Sequence, residues 1–414
     1  MTLPHGLRAL RHREFRLFFV GKGVSQLGTW LQLIATSWLV YHLSGSTLLL
    51  GLASFAIQIP FLVLTPIAGV YVDRLDRRRV LVVTNAIATA QSAAMFCVVA
   101  FGVVQPWHLI AGNLVLGVAN AWDAPARQSI LVRLVGGRAD LANAIALNSV
   151  VMNGARFVGP MLGGAIIAAF GETWGFGLNA LSNLAMQVVL ARLSSTPAAA
   201  APKEQGLLRQ LAAGARYAYG FVPSRAALLL VSAVSLTVGS YVALMPWFAR
   251  EAFHGDSRTL GYLLSAAGFG AVSGMTYLAA RREVRGLLRL IGWMAGVSGA
   301  ALLAFSLARS LWLALPALYF VGMGLMLTAA ATNTVLQTIV PEELRGRVAA
   351  LYVMSFIGVS PLGSLAAGWI AERAGPPATL GACGVIALAA ALAYAAAFPA
   401  IRRAIRPVYR EMGV

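Results

Sequence analysis

Acidic residues are scarce in this chain of 414: 14 Asp and Glu stand against 32 Lys and Arg. None of the acids sits near the middle of an apolar run. Cysteine is scarcer still. Cys97 and Cys383 lie deep inside apolar runs far apart in the chain, so neither a disulfide framework nor a metal site can be built from them. The five histidines stand at the edges of apolar segments without an HExxH or other ligand spacing, and no G-x4-GK[ST] phosphate loop occurs. These absences exclude a disulfide scaffold and a P-loop ATPase, and no cofactor or metal is expected. Charged residues are only 11%, against roughly 25% in a soluble domain. Hydrophobic side chains reach 59% and the mean hydropathy is +0.76. So few polar groups cannot cover a water-soluble exterior of this size.

What the chain has instead is long apolar runs. A helix needs about 20 apolar residues to cross the hydrocarbon. Twelve such runs lie near 17–42, 48–72, 80–102, 107–125, 142–170, 174–193, 226–249, 259–280, 287–308, 311–333, 345–371 and 378–400. The first is too long for the apolar core of a signal peptide and reads as a spanning helix.

A net charge of +18 would point to nucleic acid in a soluble protein. Sorted by segment, it records orientation. With the N-terminus inside, 27 basic residues fall in cytoplasmic segments, four on the opposite face, and one, Arg156, within a span. The bias alternates loop by loop, which predicts an even number of spans with both termini in the cytoplasm. No nucleic-acid partner is expected.

The longest polar segment, 194–225, starts as a Pro/Ala linker and continues as a short basic amphipathic helix over 207–221, suited to the membrane surface. It separates an N-terminal six-helix bundle (1–193) from a C-terminal one (226–414). The expected fold is all-α and integral to the membrane, with twelve transmembrane helices in two pseudo-symmetric bundles. Local echoes support a duplication: Gln128-Ser-Ile-Leu-Val before span five matches Gln337-Thr-Ile-Val-Pro before span eleven, and Gly159-Pro160 matches Ser360-Pro361.

Between spans two and three runs Gly69-Val-Tyr-Val-Asp73-Arg74-Leu-Asp76-Arg77-Arg78-Arg79. A glycine permits close helix crossing, a carboxylate can cap a neighbouring helix, and arginines can pair with a carboxylate elsewhere. Such a loop is either a conformational latch or an ordinary positive-inside loop. The segment resembles the signature loop of the major facilitator superfamily. Further along, Phe15-Arg16-Leu, Ser25-Gln-Leu-Gly28, Pro60, Pro125-Ala-Arg127-Gln and Asn143-Ala look like the branch that holds the enterobactin exporter and macrolide-efflux proteins. Pro246-Trp-Phe-Ala, Gly261-Tyr-Leu-Leu and Pro341-Glu-Glu-Leu-Arg345-Gly-Arg347 belong to the same pattern.

The resemblance implies a major facilitator fold and assigns roles. Asp73 would cap the start of span eleven near Glu342 to Arg345, and Arg74 or Arg77 would pair with Asp123 at the end of span four. The second-half loop carries Leu278 where the aspartate should be, so only the first-half latch is complete. Gly159, Pro160, Gly163 and Gly164 are similar to the glycine-proline element of superfamily antiporters, with Ala155 in place of its first glycine. The usual span-four arginine is missing.

Substrate would bind near the midplane, and the resemblance puts spans one, four, seven and ten around the cavity. Lys22, Ser25, Thr29, Gln32 and Thr36 share one face of span one at spacings of 3, 4, 3 and 4. Asn113 and Asn120 do so in span four. Tyr319, Met323, Met326, Ala330, Asn333 and Gln337 do so in span ten, with adaptable methionine in the middle. The alternative is that these side chains glue neighbouring helices. Arg156 lies roughly 21 Å into span five at 1.5 Å per residue. An arginine there faces a cavity or a partner, binding substrate or tying helices together.

The sequence thus reads as a secondary transporter of the bacterial inner membrane and not as an enzyme. A prenyl-transferring bundle would need two Asp-rich sites, and only Asp73-Arg-Leu-Asp76 has paired acids. The expected function is export of a small amphipathic or hydrophobic, drug- or siderophore-like compound by a monomer working through alternating access. The resemblance implies protons as coupling ion, although no mid-span carboxylate shows it. An importer, a lipid-type transporter or a transport-inactive sensor is the alternative. The latch predicts that Asp73→Asn cuts transport in a reconstituted flux assay while insertion and expression stay normal; unchanged flux would remove the latch.

Overall fold

The computed structural model describes residues 5–72, 74–135, 137, 140–194, 207–281 and 283–411. No strand occurs among them. After a 3-10 segment His5–Arg11 come α1 (Arg13–Ser44), α2 (Thr47–Val72), α3 (Arg77–Ala100), α4 (Pro106–Leu134), α5 (Leu141–Phe170) and α6 (Thr173–Arg192). Then follow α7 (Leu207–Gly220), α8 (Val222–Thr237), α9 (Tyr241–Trp247), α10 (Ser257–Ala280), α11 (Leu287–Ser306) and α12 (Leu311–Ile339). The last are α13 (Glu342–Val353), α14 (Ser360–Ala374) and α15 (Pro376–Glu411). A 3-10 turn and a π turn make Val222–Ala252 one rod, and the π turn Met354–Gly358 joins α13 to α14. Each of the twelve predicted runs falls on one rod. Nine rods among the described residues are long and apolar enough to cross a membrane by length and composition. Those below that threshold, α1, α4 and α6, carry the polar side chains described below.

Helix ends obey local chemistry. Gly45 takes φ 63° and closes α1 with a 2.8 Å bond from its N–H to the Tyr41 carbonyl, a conformation that costs glycine little. Asp76 caps α3, accepting from the Arg78 N–H at 3.0 Å. His108 accepts the Gln105 N–H at 3.0 Å at the start of α4. The amphipathic helix predicted over 207–221 is α7, which packs against α13. Most of the predicted linker, 195–206, lies outside the described residues.

The chain divides into two compact units. The first is Met1–Pro202 with Pro246–Ser265, the second Lys203–Met245 with Ala266–Val414. In the first, α1 packs on α5 and α6, α3 on α4 and α6, and α2 on α4. Phe15, Phe18, Leu81, Ile130, Met186 and Leu190 form a buried cluster there. In the second, α11 packs between α12 and α15, and α15 also rests on α8 and α14. Large apolar side chains cover the outside, up to Trp312 at 83% exposure, as a lipid-facing surface requires. The echo between Gly159-Pro160 and Ser360-Pro361 is incomplete in three dimensions. Helix α5 runs through Pro160 unbroken, whereas a π turn interrupts the helix just before Pro361.

The start of the chain is fastened to the α4–α5 connection. Asp140, only 4% exposed, pairs with Arg11 at 2.7 Å, His12 at 2.9 Å and Arg8 at 3.2 Å. The Ala9 N–H donates to Asn143 Oδ1 at 2.9 Å. The His12 hydrogen bond, with Arg11 and Arg8, holds the Asp140 carboxyl below its usual value against an opposing desolvation. A depressed carboxylate contributes stability that is complete above its unfolded value, about 3.9, and is lost as pH falls through the lowered folded value. Asp140 itself therefore leaves this fastening unchanged from pH 5 to 8. Asp140→Asn should raise hydrogen exchange across residues 7–12 severalfold at neutral pH; protection equal to that of the native chain would show the clamp to be idle.

Candidate functional site

A hydrocarbon environment offers no water to polar side chains, so each must find a protein partner. Between α1, α3 and α6 they find one another. Gln32 Nε2 donates to Gln91 Oε1 at 2.8 Å. Its Oε1 accepts from Ser92 Oγ at 2.7 Å and from Asn179 Nδ2 at 2.6 Å. Ser25 Oγ donates to Asn183 Oδ1 at 2.9 Å. Asn85 Nδ2 donates to the Asn183 carbonyl and to Gln187 Oε1, both at 2.8 Å. Gly28 makes the approach possible, since a Cβ there would lie 2.7 Å from Asn179 Oδ1. Interhelical bonds of this kind contribute about 0.6 kcal/mol each, up to about 1.7.

The span-one stripe is therefore divided. Ser25 and Gln32 are committed to helix packing, and Thr36 is buried. Lys22 Nζ donates to Asn148 Oδ1 of α5 at 2.5 Å. Thr29 is exposed, with its hydroxyl bonded back to the Ser25 carbonyl at 3.0 Å. At about 100° per residue the five positions spread over about 80° of the helix. Gln32 and Ser25 occupy one edge of that arc, Thr29 and Lys22 the other. In α4, Asn113 donates to the Ala53 carbonyl of α2 at 3.0 Å, while Asn120 is exposed.

The expected pairing of Asp123 with Arg74 or Arg77 is corrected. Asp123 pairs with Arg127 one turn along its own helix, and Thr84 Oγ1 donates to its other oxygen at 3.2 Å. An i,i+4 partner on an already formed helix needs less ordering than one on a loop. Gly69 also differs from its expected role: no described atom would lie within 4 Å of a Cβ there. Asp73 lies outside the described residues.

Helix α5 carries the closest backbone packing in the first unit. A Cβ on Gly159 would meet the Trp30 ring at 2.6 Å, and one on Gly163 would meet the Leu31 Cα at 3.3 Å. Gly164 faces the start of α10, where Ser257 Oγ donates to its carbonyl at 3.1 Å. A Cβ on Gly261 would meet the Pro160 carbonyl at 2.6 Å. Half-buried Arg156 stands near the midpoint of this 30-residue helix.

In the second unit Tyr319, Met323, Met326, Ala330, Asn333 and exposed Gln337 are partly open positions on one face of α12, while Trp312, Leu313 and Phe320 are exposed elsewhere on the same helix. Gln337 Nε2 donates to Asn333 Oδ1 at 3.3 Å. Two methionines flanked by amide and phenol groups can hold an apolar body and hydrogen-bond its ends. Among the described residues no group of three or more His, Cys, Asp or Glu could hold a metal ion.

Two structural roles escaped the sequence reading. Arg78, in the first turn of α3, bonds the carbonyls that end α6, at 2.9 Å from Leu190 and 2.6 Å from Ala191. Its signal was a cation within reach of a helix C-terminus, which no linear spacing reveals. The polar partners Gln91, Asn179 and Asn183 were visible as polar residues within apolar runs.

The multidrug efflux pump Tap of Mycolicibacterium fortuitum is 28% identical over 364 residues, covering 85% of this chain and 88% of that protein. The enterobactin exporter EntS of Shigella boydii serotype 4 is 24% identical over 378 residues, covering 90% and 89%. The nucleoside transporter NupG matches in fold with a TM-score of 0.74 at 11% sequence identity, over 93% of this chain and 99% of that one. The transmembrane secretion effector family matches residues 5–409. The chain thus belongs to that family of the major facilitator superfamily, and it is a multi-pass membrane transporter of small molecules, not an enzyme.

Proposed function

We propose that this transporter exports small amphipathic or hydrophobic compounds, drug-like or siderophore-like. It works as a monomer by alternating access with proton coupling, its termini in the cytoplasm. The observation that carries the substrate class is the α12 stripe, where Met323 and Met326 lie open between Tyr319 and the Asn333–Gln337 pair. Polarizable, unbranched methionine accommodates ligands of different shape. Export is supported by the relatives, which are named for drug efflux and siderophore export.

Polar groups of the first unit serve the same reading. Exposed Asn120 and the Arg156 guanidinium are hydrogen-bond donors on α4 and α5, and the Thr29 hydroxyl, bonded to the Ser25 carbonyl, keeps its oxygen as an acceptor, with Lys22 two turns away. The close-packed glycines of α5 support motion of whole helices, because a face with no side-chain cushion shifts as a rigid body. Proton coupling is assigned to the Asp123–Arg127 pair of α4, with Lys22 of α1 as the basic group that serves beside it. Asp73 and its loop complete the latch.

Flux of an amphipathic dye into inside-out proteoliposomes, with and without an imposed proton gradient, tests export and coupling together. Accumulation that ignores the gradient would rule out protons. In the same assay Asp123→Asn should reduce gradient-driven accumulation at least tenfold while leaving downhill efflux. Arg156→Ala should raise KM several-fold and Arg156→Lys less so, because a bidentate guanidinium contact is not reproduced by an ammonium. Identical kinetics for the two variants would make Arg156 structural.

A further inference from the structure

The second unit holds a groove of about 500 Å³ between α11 and α15. Its floor is made of small residues, Gly292, Gly296 and Ala300 on α11 with Ala391 and Ala395 on α15. Trp293, Leu392 and Phe398 form its rims. The rims are open: Trp293 is 63% exposed and Leu392 69%. The one wall hydroxyl, Tyr394, is already committed to the Leu288 carbonyl at 3.0 Å. The only charged wall residue is Arg289, at the start of α11. It is exposed and makes no hydrogen bond or ion pair among the described residues. On α15 the spacing 391, 395, 398, 402 is 4, 3, 4, which puts exposed Arg402 on the groove face one turn past Phe398.

We infer that this groove binds an anionic phospholipid of the surrounding bilayer, its acyl chain along the small-residue floor and its phosphate against Arg289 and Arg402. Length supports the assignment. From Arg289 to Ala300 the groove extends about 16 Å along α11 at 1.5 Å per residue. That is half of a hydrocarbon core of about 30 Å, the depth of one leaflet. Charge supports it as well, since guanidinium groups at the mouth meet a phosphate, while the apolar floor admits no polar ligand. The small residues matter because larger ones would fill the space: a Cβ on Gly292 already meets the Tyr394 ring at 2.9 Å, whereas one on Gly296 touches nothing nearer than 3.7 Å. The groove is deepest where the helices leave room for a chain.

The test uses the full chain in detergent and titrates dioleoyl phosphatidylglycerol against dioleoyl phosphatidylcholine, read by native mass spectrometry and thermal unfolding. Basic residues near a membrane surface favour anionic lipid by about 1 kcal/mol each, so two give a preference for phosphatidylglycerol of at least about tenfold. The double substitution Arg289→Gln with Arg402→Gln should bring the two lipids to equal affinity. Ala300→Trp, on an exposed position, should weaken both by filling the groove. Equal binding of the two lipids by the native chain would overturn the inference. So would a phosphatidylglycerol preference that survives the double substitution, or undiminished binding after Ala300→Trp. None of these readouts depends on transport.

Discussion

Gln32 sits where three helices of the first unit meet, and its amide makes bonds to α3 and α6 from a position in α1. In lipid an unmatched amide costs several kcal/mol, because no water can replace the missing partner. The bond itself contributes about 1 kcal/mol or less. The asymmetry between these magnitudes is what fixes the packing. A rotation of α1 that released Gln32 would leave both its own amide and the Gln91 oxygen unmatched, while Ser92 and Asn179 keep each other and the Ala88 carbonyl, so the register of α1 against α3 and α6 is set by the penalty for leaving it. The neighbouring bonds from Ser25 and Asn85 repeat the constraint one or two turns along. Because every member is neutral, the network titrates nothing and holds at any physiological pH.

With that side of α1 fixed, its other side is free to do something different. There α5 approaches through Gly159 and Gly163, with Trp30, Leu31 and Ile34 filling the space that side chains would have taken. Contacts of this sort are dispersion across a smooth surface and contain no pair that must be broken for sliding. One face of α1 is thus bolted by hydrogen bonds and the other bears on a glycine track. Lys22, bonded to Asn148 of α5, is the polar tie across the second face, near the end where Asp123 and Arg127 pair.

The periodicities of the sequence gave away the helices because a 3.6-residue repeat and a 20-residue length are local properties. All twelve runs lie on helical rods, and the basic helix before α8 is present as α7. The neighbour of a face is not local. Lys22, Ser25, Thr29, Gln32 and Thr36 do share one face, as their spacing says, yet that arc straddles a boundary between α6 on one edge and α5 on the other. Whether a polar side chain bonds another helix or opens to a ligand turns on tens of degrees of rotation, which spacing cannot resolve. The same limit hid Arg78 at the end of α6 and the choice of Arg127 over Arg74 or Arg77 by Asp123. On α12 the spacing does put Tyr319, Met323, Met326, Ala330, Asn333 and Gln337 on one partly open face, but Trp312, Leu313 and Phe320 are exposed as well, so spacing again names a face without naming its neighbour.

The second unit solves its packing by other means. Gly322 and Gly324 of α12 lie against backbone atoms of Ala267 and Met294, so close that a Cβ on Gly324 would stand 2.6 Å from a carbonyl oxygen. Pro361 has no N–H to donate to the Ile357 carbonyl, and the π turn Met354–Gly358 lies just before it. In the first unit, Pro246 likewise precedes the π turn Phe248–Ala252. Pro160 has no such turn: α5 stays α-helical through it, with Gly159, Gly163 and Gly164 in close contact with Trp30, Leu31 and Ser257. The two units therefore differ in how their helices are held. In the first, hydrogen bonds lock one side of α1 and glycines of α5 meet the other, so a polar and a smooth interface share one helix. The second relies on close backbone contact through the glycines of α12 and carries the π turn Met354–Gly358 within a helical rod, where the hydrogen-bond ladder is shifted by one residue.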